Sequence, residues 1–480
     1  MKPYSIVSKS NNIYQCHDKT DDTVCDCTIY DILNNYDNFE GISFDLLTLQ
    51  YHIDFDNTYW KLVKTHRVFK TVINKTNFYF DMLDNYGFLS KNLYNHANYI
   101  KRQAFFNNEQ IPSWTSLYTI TLNDIDYPDF KNMPTNNTGK QVLKCLDGEW
   151  SSFFKLQEKF KKDPKHNQKP NLPRYKDKTN GRYKLVVPNC ECRMDKKTGT
   201  KILFNKHFKG FSIDIPKNIN IQELNQVEFK FNKEYIVAYA TYSTNQWVEV
   251  TDKEPEIKRF ISIDLGLGNL AAITNNIDKE FMLIDGKGLK SINHYYNKTK
   301  SKRMSELAAS GLKYSKRLRR LDTKRNRKVE DYLHKASRYI INYCKDNNID
   351  TIILGYNKGW KQNIDLGKKT NQNFTGIPHY KLKSMLEYKS ADAGINLIII
   401  EESFTSGTSF LDNELPTKDY YNISRRIKRG LFKSNKGVVI NADINASMQI
   451  AKKVDGNIWA CPETTCVEAL ALKPVRIRIS

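Results

Sequence analysis

The stretch Arg259 to Thr274, RFISIDLGLGNLAAIT, constrains this chain more than any other. Phe260, Ile261, Ile263 and Leu265 read as a buried strand with almost no polar room. Asp264 nevertheless sits inside that run. A buried carboxylate without a partner is costly, so an Asp here needs a reason. Gly266, Gly268 and Asn269 follow, and then a second apolar run, Leu270 to Ile273. The pattern is strand, tight glycine turn, strand, with a carboxylate near the first strand's end. Three readings compete. Gly266, Gly268 and Ala271 match G-x-G-x-x-A, but a dinucleotide site needs a helix directly after the glycines. AAITNNIDKEFMLID reads instead as strand, turn, strand. The second reading is a metal-binding Asp on the first strand of a sheet, and the third is an Asp that caps a turn.

A chain of 480 residues has room for two to four domains. Its 40% hydrophobic and 12% aromatic content belongs to a folded protein. The formal charge of +22 points to a polyanionic partner, nucleic acid first. No apolar run of about 18 residues or amphipathic basic terminus supports a membrane. The first residues lack the apolar core of a signal peptide, so a soluble intracellular protein is expected. The nine cysteines are odd in number and scattered. Cys16, His17, Cys25 and Cys27 lie close in sequence, but C-x-C is the wrong spacing for the usual zinc knuckle. Free thiols are expected, and zinc is not.

Residues 1–60 are acidic and Asn-rich and read as an N-terminal extension or small subdomain. LVKTHRVFKTVI, from Leu62, is a basic, β-branched strand. Phe78, Met82, Leu83, Tyr86, Leu89, Leu93, Ala97 and Ile100 then recur at helical spacing. A second helix is expected over 140–162, with Trp150, Phe153 and Phe154 in the core. The connector at 164–183 is rich in Pro and Lys. There Arg174 and Lys176, beside Tyr175 and Tyr183, suit a phosphate backbone and stacked bases. Strands return at YKLVVP, TKILF, GFSIDIP, QVEFKF, EYIVAYATYS and QWVEV. A β-barrel-like module with a helical insertion explains this order.

After the opening stretch come a strand in EFMLIDG and two helices, over 291–321 and 324–346. Between Lys298 and Lys328 stand thirteen Lys or Arg against two acids, half of the net charge in one helical hairpin. A solvated face mixes signs. The hairpin is therefore read as a nucleic-acid surface through Lys313, Lys316, Arg317, Arg319, Arg320, Lys324, Arg325 and Arg327. Strands at 350–356 and 396–402 flank a helix over 378–393. In INADINASMQIAKKV, Asp443 shares a helical stripe with Ala446, Ser447, Ile450 and Val454. That stripe must face the sheet.

The segment thus reads as three strands, helices, strand, helix, strand, helix, the chain order of a ribonuclease-H-like fold. Strand one is central, strand four lies beside it and strand five follows. Asp264, Glu401 or Glu402, and Asp443 then converge at one edge. Three carboxylates there are what two magnesium ions require, and two such metals support in-line displacement at phosphorus.

RFISIDLGLGNLAAIT, IIIEESFTSGTSFLD and INADINAS resemble the three blocks of the RuvC-type nuclease in TnpB proteins, which are transposon-encoded, RNA-guided DNA endonucleases related to type V CRISPR effectors. Eukaryotic and giant-virus homologues are called Fanzor, and a Fanzor-like member is the resemblance drawn. It is strong over 259–454. KTHRVFKTVI and WSSFFK to KPNLPRYKDK resemble more weakly the family's wedge and recognition regions. The resemblance implies a multidomain α+β and α/β chain. A wedge β-barrel would occupy 61–75 and 183–256, and a helical recognition region with basic linker 76–182. A RuvC domain would span 257–456, followed by a tail at 457–480. It also implies a magnesium-dependent endodeoxyribonuclease, an omega-type guide RNA, target double-stranded DNA with a short flanking motif, and a monomeric ribonucleoprotein. Catalytic and magnesium-binding roles fall to Asp264, Glu402 and Asp443.

Two departures stand out. The usual second carboxylate ends strand four, where this chain has Gly355; Glu402 is the expected substitute, since alternation turns Glu401 away. Relatives carry paired cysteines for a zinc ribbon, whereas no Cys occurs between Cys344 and Cys461. A basic insertion at 403–436 is expected in its place, with Arg425, Arg426 and Arg429 holding the scissile strand. A nucleic-acid-binding regulator of a mobile element with a decayed site is the alternative. An actin-like kinase lacks its second D-x-G strand and turn here.

Overall fold

The computed structural model describes residues 2–10, 13–45, 50–55, 58–164, 168–217, 219, 221–232, 234–250, 257–277, 280–357, 376–428, 430–456, 458–459, 471 and 473–479. It divides into two compact units, Met1–Asp252 and Lys253–Ser480.

The first unit opens with a meander of β1 (Tyr4–Ser10), β2 (Ile13–Asp18) and β3 (Thr23–Thr28). Thr28 and Asp31 form a capping box that starts α1 (Ile29–Asn34). Tyr14, Cys16, Ile32, Leu33 and Phe39 make a small core under it. β4 (Ile42–Asp45) and β5 (Gln50–Ile53) then join an antiparallel sheet led by β6 (Thr58–Asn74). α2 (Phe80–Phe106), α3 (Trp114–Asn123) and α4 (Asn136–Lys162) follow. β7 (Leu185–Pro188), β11 (Glu223–Asn232) and β12 (Tyr235–Val250) complete the sheet in the order β4-β5-β6-β12-β11-β7. Between them β8 (Cys192–Met194), β9 (Lys201–Phe204) and β10 (Ser212–Asp214) pair separately. EYIVAYATYS and QWVEV, read as two strands, are one continuous strand paired with β6 from Tyr235↔Asn74 to Val250↔Tyr59.

Leu83, Leu93, Ala97, Leu143, Leu146 and Trp150 pack on Val227, Phe229 and Ile236 in one core. Phe78, expected on the buried stripe of α2, is 91% exposed because the helix starts two residues later.

The second unit holds a six-stranded sheet in the order β17-β16-β13-β14-β15-β20. Its strands are β13 (Phe260–Leu265), β14 (Asn269–Asn275), β15 (Met282–Asp285), β16 (Thr351–Gly355), β17 (Asn396–Ile400) and β20 (Val475–Ile477). β13 is antiparallel to β14 and parallel to β16, which is parallel to β17. The apolar run around Asp264 is thus a central strand covered on both faces. Ile261, Ile263 and Leu265 meet α6 (Lys316–Asp346) and α7 (His379–Asp392) in one core. Phe260, on the other face, meets Ile353, Ile450 and Ala451, the last two on α8 (Ala442–Val454).

Three details differ from expectation. The basic hairpin consists of α5 (Lys287–Ala309) and α6, and it breaks near Gly311, not at 321–324. Gly311 adopts φ +67° and Ser315 caps α6 by accepting from the Leu318 amide, which fixes the break. The expected tail contains β20, which pairs parallel to β15. The 403–436 region carries β18 (Leu431–Lys433), which pairs with β19 (Val439–Asn441) just beyond it.

Candidate active site

A reciprocal serine contact sets the site's level. Ser262 Oγ donates to the Ser447 carbonyl at 2.7 Å, and Ser447 Oγ donates to the Ser262 carbonyl at 2.8 Å. Larger residues at these positions would hold α8 off the sheet. Asp264 lies two residues beyond Ser262, about 6.6 Å along the strand. Asp443 lies one turn before Ser447, about 6 Å along the helix. The clamp therefore brings both carboxylates to the same end of the sheet. Asn441 caps α8 by accepting from the Asp443 and Ile444 amides.

The third carboxylate arrives from the neighbouring strand. Gly355 pairs with Ile400, the last residue of β17. A Cβ on Gly355 would stand 2.4 Å from Ile450 Cδ1 and 3.2 Å from Glu402 Oε2. A side chain there would have to push Ile450 aside and would crowd the Glu402 carboxylate. Asn357 holds Glu402 at two points. Its Oδ1 accepts from the Glu402 amide at 2.9 Å, and its Nδ2 donates to Glu402 Oε1 at 3.4 Å. Glu402 Oε2 is buried with no hydrogen-bond partner. Glu401 is exposed.

Asp264, Glu402 and Asp443 line one cavity of about 550 Å³ with Asn357, Phe404, Tyr421 and Arg426. Burial pushes Asp264 well above the usual carboxylate range, and the charges of Glu402 and Asp443 push it further, against the pull of Arg426. Burial raises Glu402 to about 7, opposed by Lys453. Asp443 is held from two sides. Asn269 Nδ2 donates to its Oδ2 at 2.8 Å, and Arg426 Nη2 lies 3.5 Å from its Oδ1. Arg476 Nη1 donates to Asn269 Oδ1 at 3.3 Å, which orients that amide. An adjoining cavity of about 650 Å³ is lined by Gly266, Asp443, Lys287, Lys290, Arg426 and Arg476.

The arrangement suits divalent cations. The buried, unpartnered Oε2 of Glu402 and the buried Asp264, raised further by its two acidic neighbours, leave negative charge for a cation to offset. Among the described residues no three His, Cys, Asp or Glu side chains are already grouped around a metal-sized space. The three acids share a cavity wide enough for ions, water and a phosphate group.

The basic candidates divide. Lys313, Lys316, Arg317, Arg320, Lys324 and Arg327 are exposed on the helical hairpin, and Arg174 is exposed in the first unit. Others also make contacts within the chain. Arg325 Nε donates to Asn293 Oδ1 at 2.8 Å, and its Nη2 reaches the Gly376 carbonyl, tying α6 to α5. Arg319 is half-buried, 5.4 Å from the Tyr314 ring centre. Arg425 Nη1 reaches both oxygens of buried Glu414, at 2.8 and 2.6 Å. Lys176 sits 4.4 Å from the Tyr94 ring centre and 4.0 Å from Glu149. Charge along a sequence does not reveal such internal acceptors. Arg429, Cys461 and Cys466 lie outside the described residues.

Asn269, Asn357, Lys453 and Arg476 were not foreseen as site residues. Asn269 and Asn357 carry a weak sequence signal, each following a glycine at the end of an apolar strand, in G-L-G-N after Asp264 and in G-Y-N. For Arg476 the alternation in VRIRI was the available cue.

Comparison with known proteins follows the same geography. Residues 243–361 match the family model "Probable transposase" (OrfB_IS605), and residues 379–450 match "Cas12f1-like, TNB domain". A TnpB-like protein, ORF457 of Acidianus two-tailed virus, is 24% identical over 402 residues, covering 77% of this chain and 82% of the relative. The protein in a solved Cas12f1–sgRNA–target DNA complex shares the fold with TM-score 0.50 at 15% identity, over 77% of this chain and 82% of that one. The protein of a second solved complex, a CRISPR-Cas12f ternary complex, aligns at TM-score 0.31 and 13% identity over 77% of this chain and 81% of that one. The family models and the viral relative support a TnpB/Cas12-like family. Among the described residues no helix is long and apolar enough to cross a membrane.

Proposed function

We propose that this TnpB/Cas12-like chain is an RNA-guided DNA endonuclease that hydrolyses phosphodiester bonds at the cavity of Asp264, Glu402 and Asp443. The observation that carries the reading is the convergence of these three acids from three separate elements on one cavity beside a cationic one. Likeness of fold to a protein solved with sgRNA and target DNA supports a guide RNA and target DNA as partners. On this reading 61–75 with 183–256 form a wedge module, 76–182 a recognition region and 257–456 the nuclease domain.

Asp264, Glu402 and Asp443 would hold magnesium, which when bound supplies Lewis-acid activation of water and charge stabilisation at phosphorus. Asn357 fixes the Glu402 carboxylate in reach of the cavity. Asn269 does the same for Asp443, leaving one oxygen toward Arg426. Lys287, Lys290, Arg426 and Arg476 present four cations to phosphates of the strand lying across Asp443. Gly266 lets the backbone turn tightly here, since a Cβ would stand 2.8 Å from the Asn269 carbonyl.

The test is cleavage of a plasmid by protein purified with its native RNA. Magnesium-dependent double-strand breaks, lost in Asp264→Asn, are expected. The glycine at 355 favours a second reading, a nucleic-acid-binding regulator with a decayed site. Guide-directed binding without any cutting by the wild type would select it.

A further inference from the structure

Phe404 and Tyr421 line the carboxylate cavity beside the acids and Arg426. They are 39% and 38% exposed, more than two packed core rings would be. Their ring centres lie 5.8 Å apart at 74°, an edge-to-face pair open to the cavity.

Phe404 is also held in a costly conformation. Its φ is +68°, the left-handed region that a bulky side chain rarely adopts. The surrounding turn fixes it there. Thr405 Oγ1 donates to the Glu402 carbonyl at 2.8 Å, and Thr408 Oγ1 donates to the Phe404 carbonyl at 3.0 Å. The same turn begins at Glu402, so the conformation aims the ring at the space beside that acid. Strain of this kind persists where the surroundings over-determine it.

Tyr421 is seated with equal care. Gly407 leaves room for it: a Cβ there would stand 2.5 Å from Tyr421 Cε2 and 2.7 Å from Cδ2. The Asn422 amide donates to the Gly407 carbonyl at 2.9 Å, which pins the segment carrying Tyr421 to that glycine.

We propose that Phe404 and Tyr421 form a stacking seat for one nucleobase next to the phosphate that is cut. The inference rests on the nuclease reading above and adds a subsite to it. A cavity edged by acids and cations repels a purely apolar ligand. A nucleotide matches it, with an anionic phosphate for the cations and an apolar base face for the rings. Stacking accepts every base, so the seat constrains strand geometry and not sequence. A base already stacked on both sides within a duplex cannot enter. The seat therefore selects an unpaired nucleotide at the cut.

The experiment uses the full chain with its co-purified RNA. A guide-matched DNA carries a single abasic nucleotide, moved one position at a time across the cut. Wild type is expected to slow by about tenfold or more at one position, in line with what base–aromatic stacking supports. The Phe404→Ala, Tyr421→Ala double variant should slow comparably on intact DNA and lose nothing further on that abasic DNA. Phe404→Tyr with Tyr421→Phe should restore most of the rate. A double variant slower than wild type by the same factor on the abasic DNA as on intact DNA, or indifference of wild type to every abasic position, overturns the seat.

A second measurement needs no cleavage and so separates the seat from the nuclease reading. In the Asp264→Asn protein, 2-aminopurine at that position should be quenched on binding, and the quench should vanish without the rings. A quench that survives their removal overturns the proposal. Phe404→Gly controls for folding: the φ of +68° suits glycine, so this variant should melt no lower than wild type.

Discussion

Glu402 occupies the space that a side chain on Gly355 would need. Its Oε2 stands 3.2 Å from the position of that missing Cβ, with Ile450 Cδ1 closer still at 2.4 Å. The carboxylate that reaches the cavity from this side thus comes from just past the end of β17, while β16 ends in Gly355. The two positions crowd each other. Gly355→Asp would restore an acid at the strand-four position but must displace Ile450 and Glu402. Overpacking of this kind costs roughly 1–3 kcal/mol. Thermal melting should fall accordingly, and cleavage should fall with it. A Gly355→Asp protein that melts and cuts like wild type would show that the space was never contested.

Neutral isosteres test the three acids without changing their shape. Asp264→Asn, Glu402→Gln and Asp443→Asn should each lower plasmid cleavage by at least about a hundredfold, the scale of losing one preorganised electrostatic group. RNA should still co-purify. Glu401→Gln is the internal control, because that side chain is exposed and off the cavity. Should Glu401→Gln abolish cutting while Glu402→Gln cuts normally, the assignment within the pair is reversed.

What was legible in the sequence follows from what each residue's signal depends on. Asp264 stood out because a charge within an apolar run violates a local rule. Asp443 followed from helical periodicity, which places residues three, four and seven apart on one face. Ribonuclease-H-like strand order followed from chain order plus the same periodicities. Other features depend on contacts distant in sequence. Arg325 and Arg425 look like surface cations in sequence, yet Asn293 and Glu414 claim them. Asn357 and Asn269 are ordinary turn residues until Glu402 and Asp443 are placed beside them. Phe404 carries no local sign of a left-handed backbone, which the turn from Glu402 to Thr408 imposes.

Asn269 should act on Asp443 through orientation. Asn269→Ala removes the 2.8 Å donor and leaves Arg426 to pull Asp443 from the other side. Partners of this outer kind typically change metal affinity or activity by about 10–100-fold. The magnesium concentration for half-maximal cleavage should rise in Asn269→Ala, and excess magnesium should recover part of the rate. An unchanged magnesium requirement would falsify the orienting role.

Lys287 and Lys290 project from the first turns of α5 into the cationic cavity. Removing a cation that neutralises one phosphate should reduce the slope of log affinity against log salt by about one. Lys287→Ala and Lys290→Ala, measured in the Asp264→Asn background at several salt concentrations, should therefore bind target DNA more weakly, with shallower slopes. Weaker binding with the wild-type slope would indicate a folding effect, and neither lysine would then pair with a phosphate.

Lys389 gives the second unit a pH-dependent stability unrelated to the acids. It is 4% exposed at the contact of α7 with α6, where Nζ donates to Ser337 Oγ at 2.6 Å and to the His334 carbonyl at 3.0 Å. Burial, with the nearby charge of Arg338, lowers its pKa from 10.5 to about 8. Below about pH 8 the folded and unfolded chains both carry the proton, and the folded state bears the full cost of a buried ammonium. Between about 8 and 10.5 the unfolded chain binds more protons, so this group makes stability rise with pH. Lys389→Met keeps the volume and removes the charge. It should stabilise the unit at neutral pH by at most about 3 kcal/mol, the linkage limit for such a difference. The gain should shrink steadily above about pH 8 and vanish near 10.5. Urea unfolding of both proteins at neutral and alkaline pH reads this directly. A gain that stays constant with pH, or a Lys389→Met protein weaker at neutral pH, would mean that the two hydrogen bonds outweigh the buried charge.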